Sequence, residues 1–351
     1  MEKSKIKTLR ETLAERVLVL DGAMGTMIQK YGLQEKDFRG NRFATIREKQ
    51  KGNNDLLCLT QPHIIAEIHR QYLEAGADII ETCSFNSQTI SMADYGMQSV
   101  VEEINFQAAQ IARKEADKMT QSNPMKPRFV VGSVGPTSKT ASISPDMEDP
   151  AYRAVNFDQL AEAYTQQMTA LIRGGVDALL IETIFDTLNA KAAIYAAKQA
   201  MNITNKQVEI MLSATLSDKA GRTLSGQTID AFLTSVEHAN MLSIGLNCSF
   251  GATDMLPFLR ELARIAPCYV SAYPNAGLPN VFGEYDETPH IMATHIKPFL
   301  DEQLVNIIGG CCGTSPQHIE AFAQLVHQAT PRKPVNRSTT LNLSGLEALH
   351  L

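Results

Sequence analysis

Three of the six cysteines follow short apolar runs that are typical of buried β-strands. Cys248 follows the run Leu242–Leu246, and the adjacent pair Cys311 and Cys312 follows Val305–Ile308 with glycines on both sides. Thiolates are ligands that Zn²⁺ prefers, and three protein ligands leave one position open for a substrate. The flanking glycines allow the backbone to bend so that both adjacent sulfurs reach one ion. The pattern favours a zinc site, with three buried, unreactive cysteines as the structural alternative.

Carboxylates at the ends of two other apolar runs offer a second kind of chemistry. Asp21 and Glu182 each follow such a run, and each could hold an ammonium group. Backbone N–H groups at Gly22, or in the turn after Glu81, could receive a carboxylate, so the set would suit an amino acid. The alternative is structural: Asp21 caps the following turn and Glu182 pairs with a neighbouring strand. For Glu81 we expect the structural role.

These residues need elements that bring them together, and the chain alternates short apolar runs with helical patterns eight times. The predicted strands are Val17–Leu20, Asp78–Ile80, Arg128–Val134, Asp177–Ile181, Val208–Ser213, Leu242–Leu246, Cys268–Ala272 and Val305–Ile308. Eight βα units predict an α/β fold, the closed (β/α)8 TIM barrel, whose active sites lie at the carboxyl ends of the strands. An open doubly wound sheet is the alternative, although Asp21–Thr26 offers only Gly-x-x-Gly as a phosphate fingerprint.

The two ends of the chain and one long insertion lie outside this alternation. Residues 1–14 predict an amphipathic helix, residues 35–60 a long loop, and residues 331–344 have the composition of a linker. We therefore predict one barrel domain over residues 1–330, and a linker toward a following domain over residues 331–351. For the apolar residues 343–351, two interpretations stay open: the start of a further domain, or an arm packed back on the barrel.

Composition excludes several classes of protein. The chain of 351 residues has 38 acidic and 32 basic side chains, a net charge of −6, which argues against nucleic acid or an anionic membrane as the main partner. No apolar run approaches the ~20 residues of a membrane span, and no secretory signal follows the charged N-terminus. We expect a cytoplasmic protein. None of the predicted strands ends in the lysine that a Schiff-base aldolase needs. Gly309–Gly310 could form a phosphate site after the eighth strand, so an isomerase or lyase of a phosphorylated metabolite stays open as an alternative.

Motifs at these positions resemble the zinc-dependent homocysteine S-methyltransferase family, from about Val17 to Val326. The stretches that carry the resemblance are Asp21–Thr26, Gly76–Thr82, Ile181–Thr183, Gly245–Cys248 and Gly309–Gly313. Three further stretches, Thr140–Asp146, Gly221–Gln227 and Pro274–Asn280, resemble the homocysteine-binding N-terminal domain of cobalamin-dependent methionine synthases in particular.

The resemblance implies Cys248, Cys311 and Cys312 as zinc ligands and L-homocysteine as the substrate. Zinc would deprotonate the homocysteine thiol, whose pKa is otherwise near ~8.5 or above. The thiolate would then take a methyl group and give L-methionine, so no protein nucleophile is expected. The implied donor is methylcobalamin, with cobalamin-binding and folate-binding domains on the same polypeptide. A stand-alone enzyme using S-methylmethionine or betaine, and a non-catalytic zinc- or homocysteine-sensing module, stay open as alternatives.

The resemblance also implies how the substrate is held. Its amine would lie near Asp21 and Glu182, and its carboxylate near the backbone N–H groups of Gly22, Ser84 and Phe85.

The turn after Glu81 departs slightly from the family pattern. The chain has Cys83-Ser84 where the family pattern has Asn-Thr, which leaves the backbone role intact and puts any side-chain role there in doubt. Asn275 lies at the predicted mouth of the barrel. We hypothesise that its side-chain oxygen occupies the open zinc position when the substrate is absent.

Overall fold

Eight parallel strands form the centre of the computed structural model, which describes residues 6–281, 283–336 and 340–351. They pair in the order β1-β8-β7-β6-β5-β4-β3-β2, and a parallel bridge between Leu20 and Ile79 joins β1 to β2. The strands are β1 Leu18–Val19, β2 Ile79–Glu81, β3 Phe129–Val134, β4 Ala178–Ile184, β5 Glu209–Ala214, β6 Ser243–Gly251, β7 Tyr269–Asn275 and β8 Ile307–Ile308. The predicted (β/α)8 TIM barrel is confirmed, and the open sheet is excluded.

Helices connect and surround the strands. They are α1 Leu9–Leu13, α2 Met24–Gln29, α3 Glu35–Arg39, α4 Leu57–Thr60, α5 Pro62–Glu74, α6 Thr89–Met92, α7 Val101–Ser122, α8 Phe157–Gly174, α9 Thr187–Thr204, α10 Ile229–Val236, α11 Ala252–Ile265, α12 Pro289–Asp301 and α13 Pro316–Leu325. Short 3-10 helices span Asn54–Leu56, Ala93–Tyr95, Gln98–Val100, Glu237–Ala239 and Val326–Gln328. Within the described part of the chain, none of the helices combines the length and hydropathy that a bilayer crossing requires.

Local sequence explains where a helix such as α8 begins and ends. The Asn156 side chain accepts the N–H of Gln159, which satisfies one of the donors that every helix start leaves unpaired. Gly175 ends the helix with a φ of 99°, a left-handed conformation that glycine adopts without steric cost. The chain then enters β4 directly, so that Glu182 lies at the carboxyl end of that strand.

Two apolar layers hold the barrel together. Inside it, alternate strand residues such as Leu18, Val131 and Leu180 form one cluster, and Leu9 and Leu13 of α1 pack against this cluster. A larger layer fills the space between the outer faces of the strands and the surrounding helices. The polar residues of the strands lie at the carboxyl ends, beyond the apolar interior of the barrel.

Three segments differ from the sequence-based expectations. Residues 35–60 are not a plain loop, because α3, α4 and the 3-10 helix Asn54–Leu56 lie within them. The 22-residue helix α7 was not predicted; small alanines such as Ala108 and Ala112, together with several polar side chains, occupy much of its buried face. At the N-terminus only α1 is helical among the described residues, and residues 1–5 of the predicted helix lie outside them.

Residues 340–351 pack against the barrel. They form an antiparallel hairpin of β9 Asn342–Ser344 and β10 Ala348–His350 beside α10. The Thr228 N–H donates to the Leu346 carbonyl at 3.0 Å, and the Ser344 hydroxyl donates to the Ala231 carbonyl at 2.7 Å. Upstream, the buried Arg332 guanidinium donates to three carbonyls at the barrel surface. The structure thus shows residues 343–351 as a packed arm, and the linker toward a following domain stays a prediction; residues 337–339 of that predicted linker lie outside the described residues.

Candidate active site

A cavity of about 980 Å³ opens at the carboxyl ends of the strands. Eight of the nine residues predicted from the sequence line it: Asp21, Gly22, Ser84, Phe85, Glu182, Cys248, Cys311 and Cys312. The ninth, Asn275, is buried behind the cavity wall, and its side-chain oxygen accepts the N–H of Cys312 at 3.1 Å. The barrel therefore gathers residues from strands far apart in sequence around one space.

The three predicted cysteine ligands converge in this cavity. The sulfurs of Cys248, Cys311 and Cys312 all lie within 4.8 Å of one another, and none forms a disulfide. Tetrahedral zinc with Zn–S bonds of about 2.3 Å would separate its sulfur ligands by about 3.8 Å, so the donor set fits this ion. Thiol hydrogen bonds from Cys248 and Cys311 lower the pKa of Cys312 to about 3, which supplies a thiolate.

Backbone geometry at two positions allows this convergence. Cys248 has a φ of 58°, which side-chain-bearing residues rarely adopt and which is often found at functional sites. Gly313 has a φ of 82°, and a Cβ there would lie 2.3 Å from the Cβ of Tyr285. Tyr285 was not predicted from the sequence. It lines the cavity from the loop between β7 and α12, and its hydroxyl contributes to the lowered pKa of Cys312.

Glu182 and Asp21 both combine a structural bond with exposure to the cavity. One Glu182 oxygen accepts the hydroxyl of Ser133 on β3, and the other lies 3.5 Å from the hydroxyl of Tyr273. Both oxygens of Asp21 accept the backbone N–H of Glu81, at 3.2 and 3.1 Å. Burial raises the pKa of Glu182 to about 7 and the pKa of Asp21 well above its ordinary value. A bound cation would therefore stabilise the charged form of each carboxylate.

The carboxylate of Glu81 makes none of the bonds expected from a structural role among the described residues. Its side chain lines the cavity, and its buried Oε1 has no hydrogen-bond partner among the described residues. Burial, and then the charges of Glu182 and Asp21, raise the pKa of Glu81 well above its ordinary value. The sequence signal was the repeated Glu-Thr at the ends of β2 and β4, which places Glu81 like Glu182 at the mouth of the barrel.

The backbone donors predicted for a carboxylate are only partly available. The N–H groups of Gly22 and Phe85 make no hydrogen bond among the residues that the structure describes, whereas the Ser84 N–H donates to the Thr82 carbonyl at 2.9 Å. The expectation for Ser84 therefore needs correction, because the turn folds back on itself there. Gly22 must be glycine, since a Cβ would lie 2.7 Å from the Thr314 hydroxyl oxygen. Gly22 and Phe85 are left as the free donors.

A comparison with protein families decides the class. The model of homocysteine S-methyltransferases matches residues 18–326, which is most of the chain. The chain belongs to the homocysteine S-methyltransferase family. It is therefore an enzyme of the class that transfers methyl groups to homocysteine, and the phosphate-binding barrel and the non-catalytic module are set aside.

Solved structures agree with the barrel of this homocysteine S-methyltransferase. The homocysteine methyltransferase MmuM from Escherichia coli is similar in its oxidized form, at 21% identity and a TM-score of 0.68, over 88% of this chain and 95% of that chain. Its metallated form gives 21% identity and a TM-score of 0.67, over 88% and 96%. An amine oxidase from Pseudomonas geniculata has 10% identity and a TM-score of 0.51, over 77% of this chain and 46% of that chain. At these identities the likeness concerns the fold alone.

Proposed function

We propose that this homocysteine S-methyltransferase binds Zn²⁺ through Cys248, Cys311 and Cys312 and methylates L-homocysteine to L-methionine. The observation that carries the proposal is the approach of three free sulfurs within 4.8 Å inside the cavity. When bound, zinc supplies the charge that keeps the homocysteine sulfur as a thiolate at neutral pH. No residue of the chain is assigned as a nucleophile, because the substrate sulfur itself takes the methyl group.

The other cavity residues orient homocysteine. Asp21 and Glu182 hold its ammonium group through charge-assisted hydrogen bonds, and the free N–H groups of Gly22 and Phe85 receive its carboxylate. Ser84 contributes through the turn rather than through its own N–H. Fixing both ends of the amino acid leaves its thiol as the group directed at the cysteines, which lowers the entropic cost of reaction.

The methyl donor in this proposal is methylcobalamin, and the chain is the homocysteine-binding module of a cobalamin-dependent methionine synthase. The support comes from residues 140–146, 221–227 and 274–280, which resemble that group of enzymes. In the barrel they belong to the connections from β3 to α8, β5 to α10 and β7 to α12, the side on which the cavity opens. The proposal includes cobalamin-binding and folate-binding domains on the same polypeptide. It places the enzyme in the cytoplasm, in methionine biosynthesis.

Domain boundaries stay predictions within this proposal. A barrel over residues 1–330 is supported by the end of α13 at Leu325 and by the family match ending at residue 326. Residues 331–351 would lead toward the following domain. Their packed hairpin keeps Leu343, Leu346 and Leu349 about half exposed, which offers apolar surface beside α10.

Zinc content followed by a donor screen tests the proposal. We expect one zinc per chain with and without homocysteine, and methionine formation with free methylcobalamin. Methionine formed only with S-methylmethionine or betaine would instead identify a stand-alone enzyme. A folded protein without metal would overturn the zinc assignment, and zinc and homocysteine binding without methionine from any donor would overturn the proposed reaction.

Asn275 gives a prediction about the substrate-free site. Its side-chain oxygen accepts the Cys312 N–H at 3.1 Å, so the hypothesis requires that oxygen to leave this bond or to share itself between the N–H and the ion. We expect Asn275→Ala to change the X-ray absorption spectrum of the zinc protein without homocysteine, and to leave the spectrum of the homocysteine complex unchanged. If neither spectrum changes, the oxygen is not a zinc ligand and only supports the Cys312 backbone.

A further inference from the structure

A buried carboxylate that the proposed reaction does not use lies beside the turn after β2. Asp55 belongs to the 3-10 helix Asn54–Leu56, lines the cavity and is 4% exposed. Its Oδ2 accepts the N–H of Asn86 at 2.7 Å, and its Oδ1 lies 3.8 Å from the sulfur of Cys83. Asp55 thus contacts both ends of the segment that contains Phe85.

Every peptide unit around the free Phe85 N–H is anchored. The Ser84 carbonyl, which shares a peptide plane with that N–H, accepts the side-chain amide of Gln167 at 2.7 Å. The next peptide plane is held at both ends: the Phe85 carbonyl accepts the Gly135 N–H at 2.9 Å, and the Asn86 N–H donates to Asp55. These bonds set the direction of the Phe85 N–H before a ligand arrives, which is the condition for tight and specific binding.

The negative charge of Asp55 and its bond to Asn86 have opposite effects on the binding of a substrate carboxylate. A carboxylate beside a turn that receives a substrate carboxylate repels that substrate, so electrostatics alone disfavours an acidic residue here. A neutral acceptor would satisfy Asn86 without this penalty. The contact with Asn86 favours binding by fixing the turn and the charge opposes binding, so the two effects predict opposite results when the side chain is deleted.

We propose that Asp55 is a positioning residue for the substrate carboxylate: its bond to the Asn86 N–H fixes the turn that presents the Phe85 N–H. The inference rests on the proposed function, in which that N–H receives the carboxylate of homocysteine. It assigns no contact between Asp55 and the substrate.

Two variants and a truncated substrate test this role with the methyl donor that the wild-type enzyme uses. We expect Asp55→Ala to raise the KM for homocysteine about tenfold with little change in kcat, because misplaced binding groups weaken binding steeply. Asp55→Asn should bring the KM back to the wild-type value or below it, since its amide oxygen accepts the same N–H and the repelling charge is gone. With 3-aminopropane-1-thiol, which lacks the carboxylate, Asp55→Ala should match the wild type. Asp254→Ala, at an exposed position of α11, is the control.

Other outcomes of these measurements would contradict the positioning role of Asp55. An unchanged or lower KM for homocysteine in Asp55→Ala would overturn the positioning role and leave only charge repulsion. Equal losses with homocysteine and 3-aminopropane-1-thiol would indicate a general structural role. If the alanine variant does not fold, Asp55→Leu fills similar space without an acceptor and is expected to show the same KM increase. A wild-type protein that makes no methionine would refute the proposed function instead, independently of Asp55.

Discussion

Replacing Cys311 with alanine is expected to remove zinc and to abolish methyl transfer while the barrel stays folded. Only two of the three converging sulfurs would remain, fewer than zinc sites with an open position use. Without the ion the homocysteine thiol stays largely protonated at neutral pH, so we expect a loss of about a thousandfold or more in kcat/KM. Metal analysis, thermal unfolding and methionine formation measure the three parts of the prediction.

A matched control for this variant is Cys268→Ala. Cys268 precedes β7 and lies outside the cavity lining, so zinc content and turnover should stay at wild-type values. Retained methionine formation by a correctly folded, metal-free Cys311→Ala protein would contradict the proposed role of zinc. Loss of zinc from both variants would show that the measurement reports unfolding rather than ligand removal.

Glu182→Gln is expected to weaken homocysteine binding strongly while leaving zinc bound. The glutamine keeps an oxygen that can accept the Ser133 hydroxyl, so the fold at the end of β4 should persist. The variant loses the negative charge that faces the substrate ammonium group. A hydrogen bond to a charged group contributes about 1.5–3 kcal/mol, so kcat/KM for homocysteine should fall about 10- to 100-fold.

A substrate without the ammonium group separates this effect from general damage. With 4-mercaptobutanoate, Glu182→Gln should perform like the wild type, because the lost charge has no partner there. Glu162→Gln, at an exposed position of α8, should leave both substrates unaffected. Unchanged kinetics with homocysteine in Glu182→Gln would remove Glu182 from the ammonium site and leave Asp21 and Glu81 as the candidates.

Sequence patterns predicted the barrel and most of its site because both follow from local sequence: the apolar runs that form strands, and the residues directly after them. Apolar runs of strand length mark β1 to β8, and the residue directly after a strand in such a barrel lies at the active-site rim. That relation alone brought Asp21, Glu182 and the three cysteines to one cavity. Helix α7 was not predicted, because small alanines and several polar side chains share its buried face with few large apolar residues.

Other features were decided only by the tertiary structure. Whether a backbone N–H is free depends on which carbonyl lies opposite it, and Ser84 and Phe85 are neighbours with different outcomes. Likewise, the buried Oε1 of Glu81 has no hydrogen-bond partner among the described residues, and Asp55 reaches Asn86 across 31 positions of sequence. Residue type and strand register determine which chemical groups arrive at the rim. Which of them remain available to a ligand is decided by hydrogen bonds between segments distant in sequence, since each donor is satisfied by whatever acceptor the packed fold brings to it.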